Sequence, residues 1–319
     1  MEILITGSVA YDYLMTFPGN FKEHILADHL DSISLSFLVE SLVRRKGGVA
    51  PNIAYSLALL GGTPKIFATV GKDFDDYRRW LDESGVDTSL TKVIEDKYTA
   101  SFFATTDQGN HQIASFYPGA MADAATLSLA DLEKKPDLVV ISPNAPDAME
   151  KYIKECKELN IPYLYDPSQQ LVRMDGETIC NGVNGASYLF INEYEFNLIQ
   201  DKTGLSEDQL IEMVHLVAVT KGEGGTIIFV DGKKLEVGTV PPNRIIDPTG
   251  AGDAFRGGFL TGMSRGWDWI TCGQMGALTA TYCLENDGPQ GQSYTKEEFV
   301  IRYRDNFDDQ GLLDHLLEK

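Results

Sequence analysis

Short runs of mostly apolar residues recur at positions 3–6, 65–70, 137–142, 161–166, 188–192 and 216–220, each closing at a polar residue or a glycine. Runs of this length without strict alternation are expected of strands buried on both faces. Between several of them the apolar spacing changes to three and four, at 52–60, 147–159 and 193–200, which predicts helices. Strand alternating with helix predicts an α/β fold with a mostly parallel central sheet covered on both faces, and ligands in such sheets bind beyond the C-terminal strand ends.

Two stretches, 13–45 and 98–117, break the alternation. In the second, residues 99–106 and 112–117 flank the turn-like Asp107-Gln108-Gly109-Asn110 and read as a hairpin. Both stretches follow early strand ends, so they are expected to meet above one mouth of the sheet as a small β-sheet lid. On this pattern the chain divides into a large α/β unit (1–12, 46–97 and 118–319) and an inserted lid (13–45 and 98–117). No internal repeat or long linker suggests independent modules.

With 43% hydrophobic and 23% charged residues the chain has the makings of an ordinary core. Its formal net charge of −20 disfavours nucleic acid or an anionic membrane as partner. An anionic ligand would need local devices to overcome that field: main-chain N–H groups, a helix N-terminus, a few basic side chains, a divalent ion. The four cysteines form no CxxC pair and the histidines no HExxH, so zinc and redox motifs are absent. The first apolar run is short for a signal peptide and lacks a basic leader, and no apolar stretch reaches spanning length, so a cytoplasmic location is expected.

One segment offers such devices. Asp247-Pro248-Thr249-Gly250-Ala251-Gly252-Asp253 leads from an apolar pair, Ile245-Ile246, into a sequence with helical potential. Gly250 and Gly252 let the backbone turn its N–H groups toward one point, and the helix adds its positive end, which suits charge developing on a transferring phosphoryl group. Asp253 in the first turn has the position of a general base for a substrate hydroxyl. The bland alternative is a tight turn with a capping aspartate.

The segment resembles the C-terminal signature of the ribokinase-like (PfkB) carbohydrate and nucleoside kinases, Asp-Thr-x-Gly-Ala-Gly-Asp, with Pro248 the departure. Other elements follow in the family's order: Gly7-Ser8-Val9-Ala10-Tyr11-Asp12, Gly47-Gly48 followed by Asn52, Asn192-Glu193-Tyr194-Glu195, and Thr220-Lys221-Gly222-Glu223-Gly224-Gly225. The resemblance implies a ribokinase-like fold and ATP as phosphoryl donor. It makes Asp253 the base, with Gly250, Ala251 and Gly252 as the anion hole. Asn192, Thr220, Lys221, Gly222, Gly225 and Gly252 would meet ATP, and Glu195 would hold Mg²⁺ through water. Asp247 and Thr249 would take a monovalent cation such as K⁺, although the later loop, 286–293, departs from the family pattern. Taken singly, the Asn192 element is also an ordinary helix N-cap and the Thr220 loop an ordinary hairpin turn.

The runs at 34–39, 113–121 and 166–171 look similar to bacterial adenosine kinases built on this plan, a likeness that thins after about Asn286. It implies that Ser8, Asp12, Ser36, Gly48 and Asn52 hold the ribose side, with Phe102 and Phe116 around adenine and Gln169, Gln170 and Arg173 near the nucleoside. Aromatic faces suit a purine, and Gln amides suit an adenine edge. The expected activity is adenosine kinase, and the expected assembly is a homodimer through the lid. A ribokinase- or fructokinase-like sugar kinase would keep Asp12, Asn52 and Asp253 while giving both phenylalanines to lid packing. A non-catalytic nucleoside or sugar sensor is the reading from another class. A dinucleotide oxidoreductase is disfavoured, since the first strand lacks Gly-x-Gly-x-x-Gly after it.

Overall fold

From the N-terminus the chain runs through β1 (Ile3–Thr6), β2 (Ala10–Thr16), β3 (Ser41–Gly47), α1 (Val49–Leu59), β4 (Lys65–Phe67), β5 (Thr69–Gly71), α2 (Asp75–Glu83) and β6 (Lys92–Ile94). There follow β7 (Ala100–Thr106), β8 (Gln112–Tyr117), β9 (Leu138–Ile141), α3 (Pro146–Leu159), β10 (Tyr163–Tyr165), α4 (Gly176–Val183), β11 (Tyr188–Asn192), α5 (Glu193–Thr203), α6 (Glu207–Met213) and β12 (Leu216–Thr220). The chain closes with β13 (Thr226–Val230), β14 (Lys233–Val237), α7 (Ala251–Ser264), α8 (Trp269–Leu284), α9 (Lys296–Arg304) and α10 (Asp314–Leu317). This computed structural model describes residues 1–25 and 34–318; residues 26–33 of the first inserted stretch lie outside the described residues.

The central sheet has the order β14-β13-β12-β11-β10-β9-β1-β4. It is parallel from β4 to β12 and antiparallel at β13 and β14. Because strand side chains alternate faces, Ile3, Ile5, Val140 and Phe190 enter one core with α1, α7 and α8, while Leu4, Val139, Ile141 and Leu189 enter another with α3 and α5. The near-continuous apolar runs thus come from burial on both sides. The run at 65–70 does not stay one strand. Lys92 N–H donates to the Ala68 carbonyl, and residues 69–71 leave the central sheet to pair with β6.

A second sheet, β3-β2-β7-β8, is the lid, and β7 and β8 form the hairpin expected around 107–110. Asp107 closes its turn by accepting from the amides of Gly109 and His111. The first two strands of this sheet, β2 and β3, begin at Ala10 and end at Gly47, so Asp12, which the sequence pattern places in the large unit, stands on the small sheet.

Helix α7 is wedged between α1 and α8 by adjacent glycines. A Cβ on Gly257 would come within 2.8 Å of the Ile53 carbonyl, and one on Gly258 within 2.5 Å of the Met275 carbonyl. The close approach sets α7 against α1. Gly258→Ala is expected to force backbone apart and to lower unfolding stability by about 1–3 kcal/mol, read as a reduced urea midpoint; an unchanged midpoint would show that the seam has slack.

Candidate active site

Register aligns four side chains across the lid. Arg45 pairs with Asp12, Asp12 with Phe102 and Phe102 with Phe116, so all four project from one face. That face roofs a cavity of about 640 Å³ lined also by Ser8, Gly48, Asn52, Gln169, Gln170, Arg173, Asp247 and Thr249. Most of the residues expected around a substrate therefore converge. Ser36 does not: Phe37 beside it packs on Phe17 and Phe21, holding that exposed stretch away from the lining. Gln170 is buried, and its amide nitrogen already donates to the Asn144 carbonyl at 2.8 Å.

The floor is built at the start of α1. Gly48 has φ of 96°, and a Cβ there would meet the Ser8 carbonyl oxygen at 2.5 Å, so only glycine admits this approach of β1's exit loop to the helix. Ser8 Oγ accepts from Val49 N–H at 3.1 Å. One turn on, Asn52 Nδ2 donates to Asp253 Oδ2 at 2.8 Å. Its amide is oriented from behind, since Gln290 Nε2 donates to Asn52 Oδ1 at 2.7 Å and to the Tyr77 hydroxyl at 2.6 Å, and Tyr77 donates to the Gly47 carbonyl.

Asp253 lies in the first turn of α7, whose N-cap Gly250 has φ of 80° and contributes no capping side chain. Among the described residues the amides of Gly250, Gly252 and Asp253 have no hydrogen-bond partner, and Gly252 is exposed, whereas the Ala251 amide, expected in the anion hole, turns back to donate to the Pro248 carbonyl at 3.3 Å. Unsatisfied first-turn amides at the positive end of a helix make an anion site. Beside it, Arg256 is buried, donates to the Gly252 carbonyl at 2.8 Å and embraces Asp166 through Nε and Nη2 at 2.5 and 2.7 Å.

Along the same edge, Asn192 and Thr220 are register partners at the C-terminal ends of β11 and β12. Asn192 and Glu195 form a reciprocal capping box with both bonds at 2.8 Å. Lys221 Nζ meets Glu193 at 2.8 Å, and Gly222 and Gly225 make the β12–β13 turn. The N-cap and hairpin readings are realised geometrically, on the edge that also carries the open amides. Asp247 Oδ1 accepts from Thr249 N–H at 2.9 Å, while its Oδ2 accepts from Arg45 at 2.9 Å.

Residues 8–296 match the family model described as pfkB family carbohydrate kinase. The chain belongs to this family. As a PfkB kinase it is an ATP-dependent phosphotransferase with the ribokinase-like fold. A Burkholderia thailandensis nucleoside kinase solved with inosine is 38% identical, with a TM-score of 0.84 over 96% of this chain and 98% of that one. A Methanocaldococcus jannaschii nucleoside kinase is 29% identical over 94% of this chain and 96% of its own length. An adenosine kinase from Sinorhizobium meliloti, at 22% identity and a TM-score of 0.74 over 96% of this chain and 99% of that one, shares the fold alone.

In this PfkB kinase burial pushes Asp253 up to about 7, against the pull of Arg256 and the Asn52 hydrogen bond, with Asp166 and Glu195 adding to the rise. Burial likewise pushes Asp12 up to about 6, opposed by Arg45. Arg45, Tyr77, Arg256 and Gln290 have no role in the motifs read from the sequence, and Asp166, though it opens the run at 166–171, has none there. Arg256 also left a signal, as the one charge in an otherwise uncharged stretch of α7 after Asp253.

A base must be ionised to accept a proton, so kcat/KM is expected to fall as pH drops through about 7, the value to which Asp253 is raised. Asn52→Ala removes a donor that favours the carboxylate, so its acid limb is expected at higher pH. A wild-type limb in the ordinary carboxylate range would exclude Asp253 as the titrating base.

Proposed function

We propose that the protein is a nucleoside kinase transferring the γ-phosphoryl group of ATP to the ribose 5′-hydroxyl of a purine nucleoside, adenosine first among them. The observation that carries this reading is a carboxylate held by Asn52 at the mouth of a helix with open amides, beneath a lid that presents Asp12 and two phenylalanines from one face. Asp12 suits the ribose diol, because a carboxylate can accept from two vicinal hydroxyls. Phe102 and Phe116 supply faces for a base, which a lone sugar would leave uncovered. The resemblance to the inosine-bound nucleoside kinase supports a purine.

In this reading the 5′-oxygen attacks in line while Asp253 accepts its proton. The open amides of Gly250, Gly252 and Asp253 stabilise the equatorial oxygens, and ADP leaves along the Asn192, Thr220, Lys221, Gly222 and Gly225 edge. Among the described residues no group of three or more His, Cys, Asp or Glu side chains forms a metal cage. That fits Mg²⁺ held chiefly by phosphate and water, with the buried Glu195 orienting a water ligand. When bound, Mg²⁺ would neutralise charge on the phosphates. An intact base beside open amides weighs against a sensor.

The second reading, a sugar kinase, has a specific ground: a Vibrio alginolyticus fructokinase is 30% identical over 72% of this chain and 80% of its own length. For assembly we propose a homodimer through the lid, supported by Leu42, Phe103, Ile113 and Tyr117 exposed on the lid face opposite Asp12. Light scattering at twice the chain mass is expected, and a monomer at micromolar concentration rejects it.

A panel of adenosine, inosine, cytidine, ribose and fructose at fixed MgATP is expected to rank the purine nucleosides first in kcat/KM; ribose or fructose leading would establish the sugar kinase. Phe102→Ala is expected to raise the purine KM by the loss of stacking, about 1–3 kcal/mol. Asp253→Asn is expected to bind nucleoside by calorimetry and lose turnover by orders of magnitude, and near-normal turnover would remove it as the base.

A further inference from the structure

Arg45 stands on the lid directly opposite Asp12, yet its guanidinium reaches the large unit. Nη1 donates to Asp247 Oδ2 at 2.9 Å and Nη2 to Asp287 Oδ1 at 2.5 Å. Those carboxylates belong to different loops, and both loops shape the catalytic end. Asp247 Oδ1 holds the amide of Thr249, the residue before Gly250. Asp287 opens the loop that carries Gln290, which orients Asn52 against Asp253. Pro289 of that loop packs where a Cβ on Gly250 would stand, so the two loops also touch.

Asp247 and Asp287 bring two negative charges to the side of the site where phosphate must arrive, in a chain of formal charge −20. A monovalent cation is what the family resemblance offers at Asp247 and Thr249. The oxygens it would use are already engaged by the protein: Asp247 Oδ1 accepts from the Thr249 amide and Oδ2 from Arg45, whose positive charge stands where the ion's would, and the Thr249 carbonyl accepts from Cys283 Sγ at 3.4 Å.

We propose that Arg45 is the built-in cation of this site, a positioning residue that bridges Asp247 and Asp287 and sets the glycine loop in place of a monovalent metal ion. A planar guanidinium can bridge two carboxylates from separate loops, which a lysine ammonium does with less geometric definition. Because Arg45 and Asp12 are cross-strand partners, one movement of the lid brings the diol-binding carboxylate and this cation into place together. The inference rests on the phosphoryl-transfer reading, so its test has an arm independent of turnover.

Wild type, Arg45→Lys, Arg45→Gln and Arg45→Ala would be compared in KCl and in choline chloride at equal ionic strength, by steady-state kinetics and by thermal unfolding. Wild-type kcat and Tm are expected to be the same in both salts. Arg45→Ala is expected to lose kcat by about two orders of magnitude, as for a misplaced catalytic group, with a smaller change in KM. Both its kcat and its Tm should recover part-way with KCl or millimolar guanidinium. Arg45→Gln should behave like Arg45→Ala, and Arg45→Lys should fall between them and wild type. Potassium that activates or stabilises the wild type, or an Arg45→Ala enzyme with wild-type kcat, would overturn the proposal. Should no nucleoside or sugar be phosphorylated, the transfer reading fails alone, and the Tm comparison still decides the role of Arg45.

Discussion

The hydrogen bond from Asn52 to Asp253 joins residues 201 positions apart and fixes where chemistry can occur. Asn52 rides on α1, which starts where the chain returns from the lid, and Asp253 rides on α7, which starts at the glycine loop. The bond can form only because Gly257 lets the two helices approach to backbone contact. It ties the Asp253 carboxylate to Asn52, which lines the cavity, beside the open amides of Gly250, Gly252 and Asp253. Displacing either helix would separate the proposed base, Asp253, from the open amides, and in the phosphoryl-transfer reading neither feature has a use without the other.

A chain carrying 47 acidic and 27 basic residues must bind a polyanion against its own field. It does so with fixed dipoles and a few basic groups held by acidic partners. Arg256 is buried in a pair with Asp166, and Arg45 is bound by two aspartates. Each places positive charge beside the glycine loop, while its partners keep the side chain in one geometry. Replacing such a pair whole by apolar groups changes stability little, because desolvation offsets most of the attraction, whereas removing one partner leaves the other uncompensated and is destabilising. Their contribution is to orientation and to the local potential at the reacting atoms.

Much of the fold is written in local pattern. The apolar runs specify strands buried on both faces, and the glycine-bounded start of α7 specifies an anion site, because both depend on neighbours in sequence. The expected strand at 65–70 broke because a partner twenty-odd residues later, Lys92, captured the Ala68 carbonyl. Asp12 and Asn52 were legible as candidates through the family's order of motifs, whereas the network that orients Asn52 was not. Gln290 lies in a loop that departs from the family pattern, and Tyr77 reads as an ordinary core aromatic of α2. Arg45 sits in a strand whose register with Asp12, not its sequence, gives it a role. Ser36 was suggested by likeness, but the aromatic anchor at Phe37 decides where that stretch lies.

The most direct measurement is a crystal structure of the protein with a purine nucleoside and a non-hydrolysable ATP analogue. A 5′-oxygen within hydrogen-bond reach of Asp253, with the terminal phosphate against the open amides of Gly250, Gly252 and Asp253, is the expected arrangement. A nucleoside whose hydroxyl lies out of reach of that carboxylate, or a phosphate bound elsewhere along the sheet edge, would contradict it.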